Sequence, residues 1–299
     1  MGVGRCQVLS GLVWVGLLVA PVAHADDPYW NSKPVSYWVG LLQSGQPAER
    51  LHAARGLNEL AAARGAEAIA PALPHLIAAF GADLPELRGA AATGVGQFGA
   101  SGGDAVAGLR TLVTSDPDPQ VRAHAARSLG QIAPSDADVV ATCAIALGND
   151  QAATVRQAAA AVLLQAGPAA EKGRPALVGA LSDGDATVRV FAAGAVGQFG
   201  DAATALPVLL AGLRHEDATV RAEAAGLLSA VPSGHATAVP ALIDALRDPE
   251  PAVRLAAAES LGHIGAPSRP AIDPLWRLMR DPDEGVRETA LRAIRRIRQ

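Results

Sequence analysis

One spacing of apolar residues recurs along the chain. A valine is followed by an arginine, then by alanines four and five positions after the valine, a leucine at eight and another apolar residue at eleven. The pattern V-R-x-x-A-A-x-x-L-G appears as VRAHAARSLG from Val121, VRQAAAAVLL from Val155, VRVFAAGAVG from Val188, VRAEAAGLLS from Val220 and VRLAAAESLG from Val253. A terminal form, VRETALRAIR, starts at Val286, and looser copies, ERLHAARGLN and LRGAAATGVG, start at Glu49 and Leu87. Positions such as Val121, Ala125, Ala126, Leu129 and Ile132 fall on one face of an α-helix. A second apolar segment precedes each copy, as in ALPVLLAGL ending at Leu213, AVPALIDAL at Leu246 and AIDPLWRLM at Met279. Each unit therefore reads as two helices, A then B.

The marker arginines are Arg50, Arg88, Arg122, Arg156, Arg189, Arg221, Arg254 and Arg287, spaced 38, 34, 34, 33, 32, 33 and 33 residues apart. Such regularity predicts eight stacked units over residues 34–299. The A–B connections are rich in Asp, Pro and Gly: DPDPQ, DGDAT, DPEPA and DPDEG. Asp116, Asp150, Asp183, Asp248 and Asp281 each stand six residues before the marker Arg122, Arg156, Arg189, Arg254 and Arg287. These aspartates are expected to cap the B helices, while the arginines reach a neighbouring unit's Asp and tie the stack together. Ser44 takes the Asp position in the first unit, and His215, followed by Asp217, takes it in the sixth.

Gly94–Gly99, GVGQFG, matches the dinucleotide fingerprint G-x-G-x-x-G. That pattern carries chemistry only after a strand, and PELRGAAAT before it reads as helix. A second copy of VGQFG, ending at Gly200, has Ala195 in place of the first glycine. Both stretches are the closing turns of B helices. Gly96 and Gly197 are expected where helices approach closely, and Gly99 and Gly200 where a left-handed C-cap follows.

Composition supports many small helices over one large core: half the residues are apolar, Ala leads them, and aromatics make up 3%. A net charge of −4 argues against a nucleic-acid partner. Tyr37 and Trp38, in the first A helix, are expected to cap the open N-terminal end. The N-terminus reads as an export signal over residues 1–25: one Arg in MGVGR, the apolar run VLSGLVWVGLLVAPV, and the A-x-A site Ala23-His24-Ala25. An uncleaved anchor is the alternative. Residues 26–33 are expected to be a short polar linker, and the mature chain to lack a membrane span and to be periplasmic or secreted. Cleavage removes Cys6, leaving Cys143 alone with no intramolecular disulfide possible, and its apolar neighbours predict a buried role.

Catalytic patterns are scarce. Gly99–Gly103, GASGG, matches G-x-S-x-G, but Ser101 lies between two predicted helices and reads as an N-cap. His52, His75, His124, His215, His235 and His263 are scattered, without H-E-x-x-H or H-x-H spacing. His52 and His124 share a face two units apart, roughly 20 Å at 9–10 Å per layer, too far to share a metal. No metal or cofactor is expected.

Units such as DPDPQVRAHAARSLGQIA resemble HEAT repeats from about Pro34 to Gln299, and more narrowly the short HEAT-like units of the phycobilisome-lyase type. The resemblance implies an all-α fold, a right-handed α-α superhelix with B helices lining its concave side. Relatives of this kind include deoxyhypusine hydroxylase, whose di-iron centre uses His-Glu pairs on B helices. Here His215-Glu216 lies in a turn, and Leu51-His52, Ala123-His124 and Ala222-Glu223 stand at the helix positions, which argues against that chemistry. A bilin lyase or isomerase role has no residue signature in the chain.

The exposed position ten after the valine reads Glu59, Gln97, Gln131, Gln165, Gln198, Ala230, His263 and Arg296. Four consecutive glutamines form a column that could hydrogen-bond an extended peptide backbone; they also suit a solvated helix face. Position three adds His52, His124, Phe191 and Glu223, with Phe191 either a contact or a packing residue. Arg292, Arg295, Arg296 and Arg298 give the last helix a polar outer face and complement its dipole, or else attract an anionic partner. The expected function is an exported, non-enzymatic scaffold for protein or peptide partners, with Gln97, Gln131, Gln165, Gln198, His124 and Phe191 as candidate contacts. The alternative is a lyase- or hydroxylase-like enzyme of the HEAT-like group.

Overall fold

A computed structural model describes residues 27–299. The export signal and its Ala25 junction lie outside the described residues. Sixteen α-helices follow one another among them, in eight A–B pairs. The pairs are α1 (Val35–Ser44) with α2 (Pro47–Arg64), α3 (Leu73–Ala78) with α4 (Pro85–Gly96), and α5 (Val106–Ser115) with α6 (Pro119–Ile132). Next come α7 (Ala137–Asn149) with α8 (Ala153–Ala166), α9 (Arg174–Ala180) with α10 (Ala186–Gln198), and α11 (Ala202–Gly212) with α12 (Ala218–Leu227). The array closes with α13 (His235–Ala245) and α14 (Pro251–Ile264), then α15 (Ile272–Leu278) and α16 (Glu284–Arg298). Short 3₁₀ turns lead into several A helices.

Successive B helices pack directly on one another, while successive A helices touch much less, so the B helices form the inner arc of an α-α superhelix. The repeat's small residues explain the close packing. Val121, Ala125, Ala126, Leu129 and Ile132 are all buried, and the equivalent alanines Ala159, Ala193, Ala225 and Ala258 are fully covered. Backbone approaches side chain where glycine closes the motif. A Cβ on Gly130 would lie 2.7 Å from Val162 Cγ2, and one on Gly262 would lie 2.9 Å from the Cα of Ala293. Gly99 and Gly200 adopt positive φ, +51° and +86°, as the end of a helix requires.

Two expectations are corrected at the N-terminus and in the third unit. The described part of the expected linker 26–33, residues 27–33, is not simply a linker. Tyr29–Trp30 (β1) pairs antiparallel with Lys33–Pro34 (β2), turned by Asn31 and Ser32 at φ +48° and +61°. The hairpin packs a half-buried Trp30 onto the first unit, its ring 4.9 Å from Trp38, 5.8 Å from His52 and over Gly56. With Trp38 buried beneath, these aromatics cover the open end of the array. Ser101 is not an N-cap; it sits inside the 3₁₀ turn Gly99–Ala105 and makes no capping bond.

The aspartate six residues before each marker arginine does not cap the B helix either. The cap is the residue two further on: Asp118 accepts the N–H of Gln120 and Val121, and Asp185, Asp217 and Asp283 cap α10, α12 and α16. Asp116, Asp150, Asp183, Asp248 and Asp281 instead accept the N–H of the cap residue through Oδ1, at 2.8–3.0 Å. Each also receives a two-pronged bond from the arginine of the preceding unit. Arg88 Nε and Nη2 donate to Asp116 at 2.7 and 2.8 Å, and Arg254 to Asp281 at 2.8 and 2.7 Å. Arg122–Asp150, Arg156–Asp183 and Arg221–Asp248 repeat the geometry. The third nitrogen, Nη1, donates to two carbonyls of the arginine's own A–B turn, as Arg122 does to Asp116 and Pro117. One guanidinium thus fixes its own turn and grips the next.

Arg50 departs from this, its Nε donating to the Leu42 carbonyl, and so do Arg189 and Arg287. The last two hold their own turns, at the carbonyls of Asp183 and Gly184 and of Asp281 and Pro282, but neither binds a carboxylate. For Arg189 the next unit supplies His215; for Arg287 the described residues hold no aspartate at the matching position.

The rungs hold the pKa values of their aspartates below the ordinary carboxylate value. For Asp183, Asp248 and Asp281 the arginine hydrogen bond is the largest influence and overcomes burial. For Asp116 and Asp150 burial is largest and acts upward, but the arginine bond, the cap residue's N–H and the nearby guanidinium charges together win. All five lie below the ordinary aspartate value of about 3.9. A depressed folded-state value stabilises the fold above the unfolded value and loses that stabilisation as pH falls through the folded one. The melting temperature should therefore hold from neutrality to about pH 5 and drop progressively below about pH 4, read by circular dichroism. A melting temperature unchanged down to pH 2 would contradict this.

Removing one carboxylate while leaving its arginine covered should be costly. Asp116→Asn, with a side chain 3% exposed against Arg88 at 10%, is expected to lose about 3 kcal/mol in denaturant unfolding. Asp138→Asn, at the exposed Arg110–Asp138 pair, should cost about 0.5 kcal/mol or less.

Candidate interaction surface

The motif's eleventh residue, ten after the valine, lies along the inner arc. Gln131, Gln165 and Gln198 are exposed there and Gln97 is half-buried. The three exposed side chains lean toward the preceding unit, with Gln131 Oε1 over Gly96, Gln165 Oε1 beside Gly130 and Gln198 Oε1 beside Gly167. Gly96 is needed for this lean, because a Cβ there would collide with Gln131 Oε1 and come within 2.6 Å of Ser128 Oγ. Ser128 is buried and donates to the Ala92 carbonyl at 2.8 Å, joining α6 to α4. None of the four glutamine side chains hydrogen-bonds to another described residue, so their amides keep both donor and acceptor capacity.

Near the N-terminal end the inner arc deepens into a cavity of about 400 Å³ between α2, α4 and α6. Arg55, Asn58, Glu86, Asp118, Gln120 and His124 supply its polar groups. His124 Nδ1 and Asn58 Oδ1 are covered and have no hydrogen-bond partner among the described residues. Burial, then the charge of Arg127, holds the His124 imidazole below the ordinary histidine value, with the Gly89 backbone and then Asp118 acting the other way. His124 is therefore neutral at physiological pH, with one ring nitrogen to donate and one to accept. Asn58 Nδ2 donates to the Ala90 carbonyl at 2.9 Å, which leaves its oxygen as the acceptor. Asn58 was not among the expected contacts; its place one position before Glu59 on α2 carries no distinguishing pattern.

Phe191 lies half-buried against the core and acts at least partly in packing. Glu223, its counterpart one unit on, is pushed up by burial. His52 is engaged by the aromatic cap, 5.3 Å from Trp38. Cys143 is buried and its thiol is pushed up to about 12 by desolvation, so it stays protonated and unreactive. Among the described residues no group of three or more His, Cys, Asp or Glu side chains converges on a position for a metal ion. Among them, too, no single helix is long and apolar enough to cross a membrane.

The family profile for HEAT repeats matches residues 73–164, 140–229 and 206–295 in overlapping stretches, most of the chain. The protein belongs to the HEAT-repeat family. Among solved structures, it is similar to the complex of CpcE and CpcF of phycocyanin lyase from Nostoc sp. PCC7120, at 21% identity and TM-score 0.58, over 92% of this chain and 99% of that one. YibA of Escherichia coli is similar at 21% identity and TM-score 0.54, over 87% and 92% of the two chains. Human deoxyhypusine hydroxylase aligns at 25% identity over 88% and 96%, with a TM-score of only 0.39. A search of the curated proteins finds no match. At these identities the likenesses establish the superhelix and nothing of its chemistry.

Two glycines test how the inner arc is packed. Gly96→Ala should destabilise by about 1–3 kcal/mol, because Ser128 and Gln131 must move. Gly226→Ala, on exposed helix with nothing within 4 Å of the added Cβ, should stabilise by about 0.5–1 kcal/mol. Equal effects of the two substitutions on chemical unfolding would show that the close approach at Gly96 is unimportant.

Proposed function

We propose that this HEAT-repeat protein is an exported, non-enzymatic scaffold that holds an extended peptide or protein segment along its inner arc. The observation that carries the reading is the run of exposed glutamines on consecutive B helices, Gln131, Gln165 and Gln198, whose amides are bonded to nothing else among the described residues. An extended backbone offers alternating N–H and C=O groups, and an amide side chain satisfies either. The cavity at His124 and Asn58 adds a neutral donor–acceptor pair at one end of the same surface. Distribution of contacts over many units is how stacked repeats bind, since no unit alone forms a deep pocket. Export rests on the apolar run before Ala23-His24-Ala25.

Affinity capture from the exported fraction, with the partner then measured against purified variants, tests the reading. Gln131→Ala combined with Gln165→Ala removes two hydrogen bonds of about 1 kcal/mol each, so the Kd should rise about 30-fold. The melting temperature should not move, because neither amide supports the fold. Unchanged binding would remove the glutamine face from the function, and a chain retained in the cytoplasm would remove export.

A further inference from the structure

Five arginine–aspartate rungs run along the ridge of A–B turns, and at Arg189 the pattern breaks inside the array. In the next unit His215 stands where Asp116, Asp150, Asp183, Asp248 and Asp281 stand elsewhere. His215 takes over one half of the aspartate's work: its Nδ1 accepts the Asp217 N–H at 3.1 Å, as Oδ1 does for the cap residue in the other turns. That bond requires Nδ1 to be unprotonated, which puts the imidazole proton on Nε2. The other half, acceptance of the arginine fork, is missing. Arg189 Nη1 holds the Asp183 and Gly184 carbonyls, while Nε and Nη2 have no acceptor among the described residues.

Of the neighbouring acids, Glu216 makes no side-chain bond to Arg189, and the others are committed elsewhere. Asp183 is gripped by Arg156, Asp185 binds Gln157 and caps α10, and Asp217 caps α12. Arg189 and His215 line one cavity of about 270 Å³, walled by Leu181, Val190, Pro207 and Val208. Arg50 also lacks an aspartate partner, but its Nε is satisfied by the Leu42 carbonyl.

We propose that Arg189 and His215 form a binding site for a carboxylate carried on a short apolar stem. The carboxylate takes the place that an aspartate fills in five other rungs, accepting Arg189 Nε and Nη2 in the fork geometry seen there at 2.7–3.0 Å. The apolar walls cover the stem. The ligand is a free short-chain carboxylic acid or the glutamate side chain of a peptide. The site lies on the turn ridge, away from the glutamine face, and stands whether or not that face binds a partner.

The arginine Nε–H resonances of the full chain, followed by NMR, test this during titration with butyrate, with N-acetyl-glutamate amide, and with sulfate as control. One resonance should shift with either carboxylate, and Arg189→Gln should remove it. His215→Asp supplies the carboxylate internally. It should close the rung, raise the melting temperature by a few degrees, and weaken the response to added carboxylate at least tenfold. Tighter binding of the glutamate amide assigns the peptide source, and tighter binding of butyrate assigns the free acid. No shift, an equal shift in His215→Asp, or sulfate as effective as butyrate (an adventitious ion only) would overturn the proposal.

Discussion

A pair of short helices built mainly from alanine and valine cannot enclose a core. Each A–B unit carries an apolar face toward the unit before it and another toward the unit after, and water is excluded from either only when a neighbour lies against it. Everything else in the structure answers to that condition. Small residues at the fifth and sixth positions of the motif let B helices come close, and glycine at the tenth lets them come closer where Val162 or Ala293 must fit. Among the described residues, the first and last units have a neighbour on one side only. At the N-terminus Trp30 and Trp38 supply bulk that no internal unit needs. At the C-terminus α16 turns a row of arginines outward.

Apolar contact between small side chains is tolerant of sliding, and the arginine rungs remove that freedom. A guanidinium has a flat fork of donors, and a carboxylate matches it in one orientation. Because Nη1 is anchored to carbonyls of its own turn while Nε and Nη2 reach 27 or 28 residues ahead, each rung fixes the height and rotation of one unit against the next. The aspartate is itself held by the N–H of the cap residue, so neither partner spends conformational freedom at the moment of pairing. The rungs are mostly shielded from water, which strengthens the pairing and raises the cost of breaking one.

The number, order and direction of the helices were legible from the arginine spacing and from the apolar stripe, because both arise from the same stacking condition. Pairing of an arginine with the following unit's aspartate was legible as a possibility; its two-pronged form was not. The cap assignment failed for a definite reason. Turns such as DPDPQ contain two aspartates two residues apart, and only backbone geometry decides which sits at the helix start and which faces the neighbouring arginine. The hairpin at Tyr29–Pro34 was hidden because two-residue strands leave almost no periodic trace and Trp30 gains its meaning from Gly56, 26 positions away. On the inner arc the exposure of the glutamines could be read from their position, while their lack of partners, and the cavity at His124 and Asn58, depend on how three separate helices meet.

The interruption at Arg189 and His215 divides the ladder into a run of three rungs, from Arg88 to Asp183, and a run of two, from Arg221 to Asp281. Within a run, twisting one unit against another stretches short charged bonds. Across the join between α10 and α12 it meets only apolar packing, which yields more easily. The superhelix is mechanically two stiff lengths on a compliant joint, and tension or torque applied at its ends concentrates as deformation at the fifth and sixth units.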